Sequence, residues 1–270
     1  MTATTLAARP DSRLSAIGII RSEWIKLRSL RSTVWSYAIV VVGSLAVAGL
    51  LAWTFNFSEQ VPPAEMHNDI VVQTVTFGIY IAQLVVAVLG VLVVSGEYST
   101  GMIRSTLTAV PKRLPALAAK AIVLFVATFV VGLLSVFGGL LIALPILAGY
   151  GIHADFGDTT LLGNLVLAAL YLALVSVFAL GLGTVLRSSA GGIAATLGII
   201  LLLPTIISAV IGITQAQWAM DISPYMFATA GTGIFSPGGE LSQGENLLVV
   251  LAWVAVSLIA GAVLLKRRDA

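Results

Sequence analysis

Charge is what this 270-residue chain has least of: 14 Lys and Arg with 12 Asp and Glu make up 10% of it, against 59% hydrophobic residues. That leaves too little polar surface to cover a water-soluble domain, which the composition therefore excludes. Cysteine is absent, excluding disulfides, thiol catalysis and thiolate-bound metals. There is no G-x-x-x-x-G-K-S/T phosphate loop and no H-E-x-x-H, so the chain lacks both a nucleotide-binding loop and a zinc-protease helix. Histidine occurs twice, at His67 and His153. Both read as external loop residues, as do Asp155 and Asp158, and no metal site is expected. The cations lie in short groups beside apolar stretches, a topology signal with no basic face for nucleic acid. The first apolar run begins near Val34, is long enough to span and follows a basic helix, so no cleaved signal peptide is expected.

What is abundant is uninterrupted hydrocarbon. Six apolar stretches cover about 34–55, 70–95, 121–146, 161–186, 191–213 and 247–265, each near the ~20 residues that cross a bilayer core. The expected fold is an all-α polytopic membrane protein: a tail at 1–12 without order, then one transmembrane domain over 13–270. The second stretch is the longest and is expected to tilt or protrude into the cytoplasm. An inside N-terminus puts every Lys and Arg on the cytoplasmic side, while Glu59, Glu65, Asp69, Asp155, Asp158, Asp221, Glu240 and Glu245 fall outside. An odd number of spans would break that segregation, so both termini are expected in the cytoplasm of a cell whose inner (plasma) membrane holds the chain.

Over 13–31, Ile17, Ile20, Trp24 and Leu27 recur at helical spacing, with Arg21 and Arg28 at the stripe's edge. This reads as an amphipathic helix lying along the leaflet; the alternative is a charged extension that only sets topology. Between spans four and five, the glycines of LRSSAGG are expected to permit the turn, and Pro204 is expected to kink span five. The segment 214–246 is too long for a turn and too apolar for a free loop. Ser223-Pro224 is expected to open a short helix to Ala230, stopped by Gly231, within a re-entrant hairpin.

Polar chemistry is concentrated at 95–120, SGEYSTGMIRSTLTAVPKRLPALAAK, with Glu97, Arg104, Lys112, Arg113 and Lys120. Ser99 or Thr100 is expected to cap a short helix through Leu107, stopped by Pro111, and Pro115 to open the next span. A stubby cytoplasmic helix between two spans resembles the coupling helix of type-2 ABC exporter permeases. In that family the second span is followed by a segment of the form Glu-aromatic-x-x-Gly-Thr-x-Arg, here Glu97-Tyr98-Ser99-Thr100-Gly101-Met102-Ile103-Arg104, with methionine in the threonine's place. The resemblance implies that Glu97, Tyr98, Gly101 and Arg104 engage a separate soluble ATPase subunit, which binds ATP and magnesium. It further implies a dimer with a second copy or a related permease, surrounded by membrane lipids. Glu97 as a mere interfacial helix-end charge is the competing reading.

The span interiors so defined hold no charged residue or histidine, which disfavours an ion-coupled carrier. Span two carries one neutral polar stripe, Gln73, Thr76, Tyr80 and Gln83, spaced to share a helical face. It lines either a substrate path or a helix contact. Neutral lining suits an apolar or amphiphilic substrate such as a drug, peptide or lipid-like molecule. The leading reading is thus a non-enzymatic permease subunit of an ATP-driven exporter; the alternative is a non-transporting six-span scaffold or assembly factor.

Overall fold

A computed structural model describes residues 15–54, 61–102, 108, 113–236 and 238–267. The described residues form helices and connecting turns, and six helical spans are long and apolar enough to cross a membrane. The first is preceded by α1 (Ala16–Ser29), whose N-cap Ser15 accepts a hydrogen bond from the Gly18 amide. Span one is α2 (Arg31–Thr54). Span two runs from Ala64 to Ser99 as a 3-10 turn, α3 (His67–Thr76) and α4 (Ile79–Ser99). Span three is α5 (Leu114–Gly149), opened by Pro115, and span four is α6 (Thr159–Leu186). Span five comprises α7 (Ser189–Leu197), a π-helical turn Gly198–Leu202 and α8 (Leu203–Thr214). The short helices α9 (Gln217–Ile222) and α10 (Phe227–Gly233) lead to span six, α11 (Gln243–Arg267).

Span two is not uniquely long, because span three matches its 36 residues. At 1.5 Å per residue each reaches roughly 54 Å, well beyond the ~30 Å hydrocarbon core. The extra turns carry Glu97 and Lys120, which therefore lie within helices rather than in the connecting passage.

The Ser99 and Thr100 hydroxyls both donate back to the Gly96 carbonyl, at 3.0 and 2.8 Å, at the end of α4. The helix expected through Leu107, with its cap and its stop at Pro111, lies mostly outside the described residues. The loop between spans four and five and the segment before span six depart from expectation. The turn between spans four and five is made by Arg187 itself, which is left-handed at φ 52°. Gly191 and Gly192 are already inside α7, which Ser188 caps. Pro204 falls in the first turn of α8, directly after the π-helical turn; there its missing N–H is absorbed by the irregular register. Ser223-Pro224 opens only a 3-10 turn, and the following helix is α10. Gly231 lies inside α10 instead of stopping it, since a Cβ there would stand 2.0 Å from the Tyr171 ring.

Span four is the hub, 78% buried, whereas spans one and five are each 17% buried and span six 22%. Close approach is enabled by residues without side chains: Gly90 of α4 lies over the Ser176 carbonyl, Gly132 of α5 over Ala169, and Gly181 of α6 against Ser257 of α11. Where α10 folds back, Phe178 stacks on Phe227 at 4.4 Å, Tyr171 meets Phe227 and Phe235 at 6.0 Å, and Trp253 meets Phe178 edge-on. Trp253 also donates to the Tyr225 carbonyl, tying span six to the segment before α10.

Candidate functional site

At one end of the bundle, four charged side chains from three helices meet. Lys120 Nζ, one and a half turns into α5, donates to Glu23 Oε2 of α1 at 2.6 Å and to Glu97 Oε1 of α4 at 2.9 Å. Lys26 Nζ donates to Glu23 Oε1 at 2.7 Å and to the same Glu97 Oε1 at 3.0 Å. Two carboxylates and two ammoniums thus close a ring of zero net charge. Side-chain exposure is 4% at Glu23, 3% at Glu97 and 7% at Lys120, with only Lys26 reaching solvent at 29%.

The geometry follows from helical spacing. Glu23 and Lys26 are three residues apart, hence neighbours on one side of α1, and Leu27 completes that protein-facing strip. Ile17 and Trp24 instead remain exposed, so the apolar stripe read from the sequence is divided between protein and bilayer. Burial opposes the Glu23 charge, but Lys120 and then Lys26 outweigh it and hold the carboxyl below its ordinary value of 4.5. Burial likewise opposes the Lys26 ammonium, which its hydrogen bonds to Glu23 and Glu97 nevertheless hold above 10.5. Glu97 Oε2 is buried with no hydrogen-bond partner among the described residues. Beside the ring opens a cavity of about 250 Å³, walled by Leu92, Val93, Val123 and Leu124 and bordered by Thr100 and Met102.

Further contacts gather near the end of α4. The Arg187 guanidinium lies over the Tyr98 ring at 5.1 Å and reaches the Leu264 carbonyl at 3.4 Å. Arg113 Nη1 donates to the Leu265 carbonyl at 2.9 Å, so the ends of spans two, four and six and the start of span three are tied together. Gly101 turns the chain out of α4 at φ +73°, a conformation that a side chain would strain. Arg104 lies outside the described residues. Glu23 was missed in the sequence, although a single acid among the cations of an amphipathic helix was the available signal.

The polar stripe of span two does not share one environment. The helix is broken at Phe77–Gly78, between α3 and α4, where Gly78 packs on Ser44. Gln73 and Tyr80 are exposed. Thr76 is buried and donates to the Val72 carbonyl at 2.7 Å; Gln83 is buried and accepts from the Tyr171 hydroxyl at 2.5 Å. At the opposite end of the bundle, the two histidines form a backbone latch: His67 Nδ1 accepts from the His153 amide at 3.2 Å, and Asn68 exchanges two hydrogen bonds with the Asp155 backbone.

A bundle of six spans with a charged ring at the root of the second loop is the context that the motif required, and the profile of the family described as ABC-2 family transporter protein matches residues 19–203. The chain belongs to the ABC-2 family. That match runs from α1 into span five and contains the whole charged ring. An ABC-2 permease is a membrane subunit of its transporter and not the ATPase. A comparison with curated proteins gives no match.

Proposed function

We propose that this ABC-2 permease is the transmembrane subunit of an exporter in which a separate phosphate-loop ATPase docks on the segment after Glu97 and drives transport of an apolar or amphiphilic substrate. The observation that carries the reading is the charged ring. It joins the interfacial helix α1, the end of span two and the start of span three at the one place where a push on the loop between them would be received. A buried ring with four short hydrogen bonds resists separation of its members, so displacement of the loop moves three helices together.

A second permease copy completes the proposed path. Gln73 and Tyr80 face outward from the bundle, where lipid would leave their polar groups without partners. A shared path between two permeases satisfies them, with Thr76 and Gln83 behind. Tyr80 offers both a ring and a hydroxyl to amphiphilic cargo.

Two measurements test this reading. First, a phosphate-loop ATPase co-purified with the permease should hydrolyse ATP several-fold faster in its presence, and Arg104→Ala should remove most of that stimulation with insertion intact. Glu97→Ala should do the same, although it also removes a member of the buried ring. Wild-type stimulation in both variants would sink the coupling role of Glu97 and Arg104. Second, the chain has no cysteine, so single cysteines report sidedness directly. Those at Asp155 and Glu240 should react with an impermeant thiol reagent in intact cells, and one at Arg187 should not; external reaction at 187 overturns the proposed cytoplasmic placement of the ring.

A further inference from the structure

A groove of about 240 Å³ lies between α1, α2 and α5. Its walls are Val34, Val126, Ala127, Val130 and Val131, with Trp24 and Arg28 at its mouth. Val34, Val126 and Val130 are 56, 48 and 49% exposed, so the slot opens toward hydrocarbon. Among its lining residues, Thr33 has a buried hydroxyl with no hydrogen-bond partner among the described residues. The floor is set by Tyr37, whose hydroxyl is bonded to Thr128 at 2.9 Å.

The mouth carries charge of one sign. Arg21, Trp24 and Arg28 are three and four residues apart and line one side of α1. Arg21 and Arg28 are exposed, and neither forms an ion pair among the described residues, in contrast to Lys26 on the other side of the same helix. An apolar slot with Arg28 at its mouth, and Arg21 two turns away on the same side of α1, matches a molecule with an apolar chain and an anionic head. At the level of an interfacial helix, the source of such a molecule is the leaflet itself. We propose that this groove is a binding site for one phospholipid of the leaflet on which α1 lies. Its acyl chain fills the slot between α2 and α5, its phosphate is held by Arg28 and Arg21, and its headgroup preference is anionic. The guanidinium fork suits a phosphate diester, and Trp24 packs at the headgroup boundary. The site fixes the outer side of α1 while Glu23 and Lys26 fix its inner side, so lipid occupancy and the charged ring hold the same helix.

The test uses the full-length permease in nanodiscs. Phosphatidylglycerol and phosphatidylcholine with identical acyl chains are supplied in competition, and bound lipid is counted by native mass spectrometry. The wild type is expected to retain phosphatidylglycerol roughly thirtyfold over phosphatidylcholine, as two cationic contacts imply. Arg21→Gln with Arg28→Gln should reduce that ratio to near one. Val130→Trp, at the exposed lip, should block the slot and lower retention of both lipids. Soluble glycerol 3-phosphate should not compete, since it lacks the chain. A phosphatidylglycerol with a photoreactive acyl chain, applied to the wild type, should label residues within 24–37 and 126–131; this readout stands even where a variant folds poorly. Equal retention of both lipids by the wild type, labelling spread over spans five and six, or displacement by glycerol 3-phosphate would each overturn the site. The first two outcomes would leave annular lipid only. The function proposed above is untouched by any of them.

Discussion

Lys120→Met is expected to destabilise the permease by about 3–5 kcal/mol, the range observed when one partner of a buried ion pair is removed. The substitution keeps most of the length of the side chain and deletes the ammonium that answers two carboxylates, both under 5% exposed. Lys26 alone then faces Glu23 and Glu97, and the ring carries one uncompensated negative charge. Adding Glu23→Gln restores neutrality and should recover more than half of the loss, a coupling that a double-mutant cycle measures directly. Thermal unfolding in detergent provides the readout; a midpoint within a degree or so of wild type for Lys120→Met would sink the idea. The pH dependence has a defined sign. The Glu23 carboxyl is depressed in the folded chain, so its contribution is fully present above its ordinary value of 4.5 and is lost as pH falls through the lower folded value. Acidification below about 4.5 should therefore narrow the difference between wild type and Lys120→Met, as the surplus carboxylate is neutralised.

Gly181→Val should cost about 1–3 kcal/mol or more through overpacking at the crossing of spans four and six. A Cβ at 181 would stand 2.4 Å from the Ser257 hydroxyl oxygen and 2.7 Å from its carbonyl carbon. The second of these is backbone, so Ser257→Gly should rescue only part of the loss. Gly163 provides the control on the same helix: it is exposed, and a Cβ there meets nothing within 4 Å. Gly163→Ala should be neutral or raise stability by roughly 0.5–1 kcal/mol, since glycine costs that much in a helix interior. The measured quantity is the fraction of monodisperse permease recovered after heating. If the two glycines tolerate side chains equally well, span four is not the packed hub.

Several features follow from one-dimensional patterns because the physics behind them is local or depends only on composition. Six spans are legible because a bilayer demands about 20 apolar residues per crossing wherever they occur. The opening of span three at Pro115 is legible because a first-turn proline sacrifices no hydrogen bond. The helix before span one is legible from its period, and the family from eight residues at 97–104 placed after the second span. The turn at Arg187 was not legible, because the glycines nearby carried the stronger propensity and the competing αL arginine is held by contacts to Leu264 and Tyr98, 77 and 89 residues away.

The same division holds for the site. Sequence by itself determined that Glu97 follows the second apolar stretch, that the cations fall outside the six apolar stretches, and that the chain carries no phosphate loop. Only the tertiary structure decided that Glu23, 97 residues from Lys120, is its closest partner. It also decided that Gln83 turns inward to Tyr171 while Tyr80, three residues before it, stays on the surface. Helical periodicity specifies which residues share a face, but which neighbour that face meets depends on how helices distant in sequence cross. In this chain those crossings are set by glycines at 90, 132 and 181, whose partners no spacing rule identifies.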